Sequence, residues 1–317
     1  MDNVLLILPD FLIILLGALL SARFNYDRNF WKSAERLVFN VLFPPLLFLS
    51  VARSSASLSE AGYFLLVGVV TMLFAVLASA SVKLFVKADD WTHASVFQCG
   101  FRFNTYIGFA IVLKLVGADG LALMALLISI WVPISNTIAV AVLALAVQKK
   151  ENSASSAPKN RILINTVSAV VRNPLIIATV LGLAVKIVEI PVPTPAADFL
   201  NSLGKASLAM GLLCIGAGIK IQDLSRYKAL IAACTVERLV AVPVIALAAG
   251  LITGLMPVEY ATLLVFAALP TAQSCYVMTS AMRGNAPAVA DVTACQTLAS
   301  MFTLTCWSFV ITGWIMN

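Results

Sequence analysis

Two short stretches hold most of the polar chemistry of an otherwise apolar chain: Phe97-Gln-Cys-Gly-Phe-Arg-Phe-Asn-Thr-Tyr-Ile-Gly108 and Leu269-Pro-Thr-Ala-Gln-Ser-Cys-Tyr276. Arg102 is the costliest residue in either, because a guanidinium inside hydrocarbon needs a partner. One candidate is an anionic ligand, since the planar fork grips a carboxylate with two parallel hydrogen bonds. The other is a permanent protein counter-ion. Gln98, Asn104, Thr105 and Tyr106 in the first stretch, with Thr271, Gln273 and Ser274 in the second, offer neutral donors and acceptors. Such groups bind carboxylate oxygens, and they serve equally as glue between helices. Pro270 removes a backbone donor and clashes with the preceding turn, while Gly100 and Gly108 loosen the other stretch. Both are expected to interrupt a helix. Asn40, shortly before Pro44-Pro45, is read as a further break and a wall of the same cavity. Glu237 and Asp291 also fall inside apolar runs. Either could carry a coupling proton where burial favours the neutral acid, or act as a fixed ion partner.

The elements that hold these residues follow from composition. Of 317 residues, 61% are apolar and only 11% charged, and the mean hydropathy is +0.98. A soluble domain has about 25% charged residues, so this chain cannot clothe a water-facing surface. It reads as an all-α polytopic membrane protein. No Ser, His and acid constellation and no phosphate-cradling glycine loop is found, so neither an enzyme nor a cofactor or metal site is expected. The six cysteines lie in apolar segments without a CxxC pair and read as small hydrophobes. The net charge of +6 resides mostly in short joins rather than in a basic arm, which marks topology and not nucleic-acid binding.

Apolar runs long enough to cross about 30 Å of hydrocarbon predict ten transmembrane helices. They are Val4–Ala22, Ala34–Ala52, Tyr63–Val86, Thr92–Leu115, Leu121–Val147, Pro174–Ile190, Phe199–Ile219, Tyr227–Thr253, Val258–Ala281 and Ala288–Met316. Joins after odd-numbered spans hold Arg23, Arg28, Lys32, Arg36, Lys83, Lys87, Lys149, Lys150, Lys159, Arg161, Arg172, Lys220, Arg226, Lys228 and Arg283; the others hold only Arg53, Lys114 and Lys186. The bias puts the odd-numbered joins in the cytoplasm and both termini outside it, in the inner (plasma) membrane. Residues 148–158 read as a cytoplasmic linker between a first five-helix repeat, 1–147, and a second, 159–317. The second opens with a short interfacial helix over 160–171. Pro9 to Gly17 and Pro174 to Gly182 share their spacing, and Asn104-Thr-Tyr106 has a counterpart in Ser274-Cys-Tyr276. An odd number of spans per half inverts the second repeat. Broken helices 4 and 9 at matching positions then place a small-molecule site near the midplane, as in secondary transporters.

With Arg172-Asn-Pro-Leu-Ile177, the polar stretch through Asn104 and Gly108, Gly211 to Gly218, and Leu269-Pro270, the chain resembles the auxin efflux carrier family. The likeness is to its short bacterial malate or malonate permease-like members, within a wider superfamily of bile acid and sodium symporter-like carriers. The resemblance implies two inverted five-helix repeats, with a scaffold or dimerisation portion from helices 1, 2, 6 and 7. The other six helices would form an elevator-like transport portion in which helices 4 and 9 cross at their breaks. Carried over, Phe103–Gly108 crosses Pro270–Cys275 and Asn104 faces substrate, although helix 4 here lacks a proline at its break. The expected function is secondary active transport of a small organic anion, a carboxylate or dicarboxylate such as malonate or malate. The alternatives are a carrier of auxin-like aromatic weak acids or neutral solutes, and, in a different class, a channel or membrane receptor. Expected partners are the substrate, membrane lipid and a second copy of the chain. The acidic ligands of a sodium site are not evident, which favours proton coupling or uniport.

Overall fold

A computed structural model describes residues 2–24, 26–53, 58–151, 174–219 and 224–316, and all regular structure among them is helical. Helix α1 (Asp2–Arg23) is followed by α2 (Arg28–Leu37), a π-helical turn (Val38–Leu42) and α3 (Phe43–Ala52). Next come α4 (Leu58–Phe85), α5 (Asp90–Phe97), a 3-10 turn (Gln98–Gly100), α6 (Thr105–Leu115) and α7 (Ala118–Glu151). The later part holds α8 (Pro174–Ile187), α9 (Thr194–Gly218), α10 (Lys228–Val236), a π turn (Glu237–Ala241) and α11 (Val242–Thr253). It ends with α12 (Pro257–Ala268), α13 (Ser274–Ala281) and α14 (Ala286–Val310), which closes in a further π turn (Ile311–Ile315). Among the described residues, 7 helical stretches are long and apolar enough to cross a membrane, and Pro174–Ile187 and Pro257–Ala268 are shorter apolar helices.

Local chemistry explains the starts and the irregular turns. The Asp27 side chain accepts from Phe30 N at 2.8 Å and caps α2, and Asp89 does the same for α5 through Thr92 N at 2.9 Å. Pro44 and Pro45 lack the amides that would bond back into the preceding turn. The wide turn before them sends the Phe43 amide to Val38 O, and the chain continues as a rod. The expected break at Asn40 is therefore a π turn. Helix α7 runs through Glu151, so residues 148–151 of the expected linker are helical. Residues 152–158 and the expected interfacial helix over 160–171 lie outside the described residues.

Helix α1 lies along α9, while α3 packs on α8 and α9. A Cβ at Gly216 would collide with Ile14 O, and one at Gly17 with Leu213 O, so α1 and α9 touch backbone to backbone. Small residues permit this approach where lipid supplies no hydrophobic drive. The main core surrounds α6, α7 and α12, where Trp131, Phe101, Phe109 and Phe266 are fully buried. At one end of the bundle Asp90 pairs with Lys83 at 2.6 Å and Lys149 at 2.8 Å, and Trp91 Nε1 donates to Arg283 O at 3.1 Å. Asp10 and Lys114 pair at 2.7 Å near the far end of α6.

Candidate functional site

The two polar stretches meet. Between α5 and α6 the chain leaves the helix after the 3-10 turn, and between α12 and α13 it leaves at Leu269. Asn104 N donates to Pro270 O at 2.8 Å, which joins the two breaks directly. No proline marks the first break. Gly100 makes it possible, since a Cβ there would run into the Ser79 hydroxyl and the Glu237 carboxyl. Asn104 then restarts the helix, its Oδ1 accepting from Tyr106 N at 3.1 Å and Ile107 N at 3.3 Å.

Broken helices expose backbone groups that lipid cannot satisfy, and here side chains take them up. Arg238 Nε donates to Leu269 O at 2.7 Å, Nη2 to Phe266 O at 3.2 Å and Nη1 to Gly100 O at 3.4 Å. One fully buried guanidinium thus ties the end of α12 to the first break. Gln296 on α14 accepts from Thr271 N at 3.0 Å and donates to Cys234 O at 3.0 Å. Trp131 Nε1 donates to Phe101 O at 3.0 Å, and Ser79 Oγ to Phe97 O at 2.6 Å.

Three cavities adjoin the crossing, of about 830, 230 and 150 Å³. Ser274 lines all three, Arg102 the two larger, Gln273 the largest and smallest, and Thr105 the two smaller. Asn104 and Tyr106 line the smallest, where the Tyr106 ring stacks on Phe43 at 5.1 Å. Arg102 is half-buried and donates to Gln98 Oε1 at 2.7 Å and Ser274 Oγ at 3.0 Å. Among the described residues no acidic side chain forms an ion pair with it. Gln98 itself is buried and donates to Thr279 Oγ1 at 2.9 Å.

The remaining sequence-predicted residues lie apart from the cavities. Pro270 and Thr271 are buried and build the crossing itself. Asn40 is exposed and Phe39 faces the two smaller cavities in its place. Asp291 is buried on α14, and its neighbour Ala290 lines the largest cavity. Glu237 is buried behind the first break. Sequence reasoning missed Lys32, Glu35 and Asn136, which line the largest cavity, and the bracing roles of Arg238 and Gln296. Asn136, three residues after Pro133 inside an apolar run, carried a readable signal. Lys32 stood only among the topology charges.

A bundle of long apolar helices around two interrupted helices that cross over cavities defines a polytopic membrane transporter of small molecules. A family model described as membrane transport protein matches residues 4–308, almost the whole chain. The chain belongs to that family, the auxin efflux carriers. Its role is transport and not catalysis. No individual curated protein matches the chain.

Proposed function

We propose that the protein is a secondary transporter of a small monocarboxylic weak acid with an aromatic or other apolar body, auxin-like in chemistry. The observation that carries this reading is Arg102, a cation with only neutral partners, facing the 830 Å³ cavity. The N-termini of α6 and α13 converge beside it at Thr105 and Ser274, and their dipoles add positive potential. Tyr26, Trp31 and Tyr276 in the cavity wall suit a flat apolar body, and Glu35 opposes a second negative charge. A dicarboxylate such as malonate or malate is the second reading, favoured by Lys32 in the same wall.

The proposed topology is ten crossings in two inverted five-helix repeats, with domains 1–147 and 159–317 and with helices 4 and 9 formed by α5–α6 and α12–α13. The matching breaks support it. Scaffold helices α2 and α9 supply one wall of the largest cavity and the crossing supplies another, as an elevator-like movement of the crossing past a fixed scaffold requires. Ser21, Tyr26 and Ile219 border this cavity at the helix ends that the basic joins assign to the cytoplasm, so the conformation is inward-facing. The protein is placed in the inner membrane with both termini external, as a homodimer through the scaffold. Lys87→Cys should react with an impermeant thiol reagent only after cells are opened; labelling in intact cells would invert the topology. A monomeric mass in nanodiscs would remove the dimer.

Uptake of labelled indole-3-acetate and of labelled malonate into proteoliposomes tests the substrate reading. Saturable indole-3-acetate flux that malonate does not compete supports it, and the reverse preference would install the dicarboxylate reading. Absence of any saturable flux would overturn the carrier reading. The role of Asn104 needs a paired test, because its side chain also caps α6. Asn104→Ser keeps a capping oxygen but loses the amide donors, so ligand affinity should fall about tenfold with stability nearly unchanged. Asn104→Ala should lose about 1 kcal/mol of stability as well. Unchanged affinity in the serine variant would remove Asn104 from the binding site.

A further inference from the structure

Packed against Gly100 at the first break and lining none of the three cavities, Glu237 is 6% exposed, and neither carboxyl oxygen has a hydrogen-bond partner among the described residues. An ionised carboxylate so placed would lose its water with no hydrogen bond in return and only the adjacent Arg238 charge to offset the cost, whereas the neutral acid is tolerated. Its neighbour Arg238 spends its donors on Leu269 O, Phe266 O and Gly100 O. The π turn brings both side chains to one point, since the Glu237 carboxyl packs over Gly100 while Arg238 Nη1 reaches the Gly100 carbonyl.

We infer that Glu237 is the proton-binding site of the carrier, and that losing its proton draws Arg238 off the helix-end carbonyls and loosens the crossing. This rests on the transport reading above and adds the coupling ion to it. Protonated, Glu237 is neutral and Arg238 holds the two breaks together. When the carboxyl O–H bond breaks, the proton passing to water and the electron pair staying on the oxygen, the carboxylate is the strongest acceptor within reach of the guanidinium. An ion pair then replaces weaker bonds to carbonyls, and the freed carbonyls of α12 no longer fix the crossing against the π turn. One proton bound or released thus accompanies one rearrangement of the element that carries Arg102 and Ser274.

The titratable groups on the packed elements include Glu60 early in α4, Lys228 at the start of α10 and Cys306 late in α14. Cys234 on α10 and Arg238 on the same turn feel the Glu237 charge. Cys99 adjoins Gly100 in the 3-10 turn, and α14 carries Asp291 and Cys295. Glu259 and Tyr260 stand at the start of α12, where Glu259 accepts from Met256 N at 3.1 Å. On α4, Ser79 meets Gly100 and is already bonded to Phe97 O, Tyr63 bonds to Thr253 O at 3.0 Å, and Lys83 pairs with Asp90.

Two measurements on the full chain test the inference. Infrared difference spectra of the protein in nanodiscs between acid and alkaline pH should contain a protonated-carboxyl band that disappears in Glu237→Gln and moves in Glu237→Asp. This arm needs no substrate, so it stands even where the transport reading fails. In proteoliposomes a pH gradient should raise the saturable initial uptake of labelled indole-3-acetate several-fold in the wild type, after subtraction of protein-free vesicles, which the neutral acid enters unaided. The glutamine variant should show saturable uptake indifferent to the gradient, and the aspartate variant should regain pH dependence. Gradient-stimulated saturable uptake by the glutamine variant at the wild-type level would overturn the inference. So would a carboxyl band unchanged in both variants. Where the glutamine variant does not fold, an unmoved band in Glu237→Asp decides against Glu237.

Discussion

Arg102→Lys is expected to weaken binding of the acid substrate by about tenfold to a hundredfold while sparing its neutral amide analogue. The lysine keeps the charge but loses the planar fork that meets Gln98, Ser274 and a carboxylate together. Losing a hydrogen bond to a charged group costs about 1.5–3 kcal/mol, which at about 1.4 kcal/mol per decade spans that range. Calorimetric titration of acid and amide against folded variant separates the two roles of the residue. Equal losses for both ligands would make Arg102 a structural bolt between α5 and α13 and withdraw it from the substrate.

Arg238→Met should destabilise the protein more than any single change at the cavity. The methionine fills much of the same volume, yet it leaves three buried carbonyls, those of Gly100, Phe266 and Leu269, without this donor. Each buried orphan costs about 1–3 kcal/mol, so the sum is on the order of 3 kcal/mol or more. Thermal unfolding in mild detergent should show it as a clearly lowered midpoint. A midpoint like that of the wild type would mean that water or a rearranged backbone satisfies the breaks, and that the crossing does not depend on Arg238.

The broken places were legible because interruption of an apolar run is a one-dimensional signal: Pro270, Gly100 and the cluster from Gln98 to Tyr106 stand out wherever the chain then goes. What those residues bond to was not legible. Thr271 reads as a ligand group beside Gln273, but its amide is turned to Gln296 and its side chain is buried. Asn104 reads as substrate-facing, and its oxygen is committed to the start of α6. Adjacent Glu237 and Arg238 should diverge on a regular helix, and they meet at Gly100 because the π turn rotates them.

The sequence alone determined that the chain is a helical membrane protein and that the stretches around Arg102 and Pro270 interrupt their helices, while it also read a break at Asn40, where the chain runs on through a π turn. These follow from the transfer of each segment into hydrocarbon, a property of the segment and not of its neighbours. Only the tertiary structure decided that the breaks cross through Asn104 N and Pro270 O, that Arg102 has neutral partners, and that Arg238, 31 residues from Leu269 in sequence, closes the end of α12. Hydrogen-bond partners of a broken helix are chosen by whatever donors packing brings within about 3 Å, and no pattern along the chain encodes that distance.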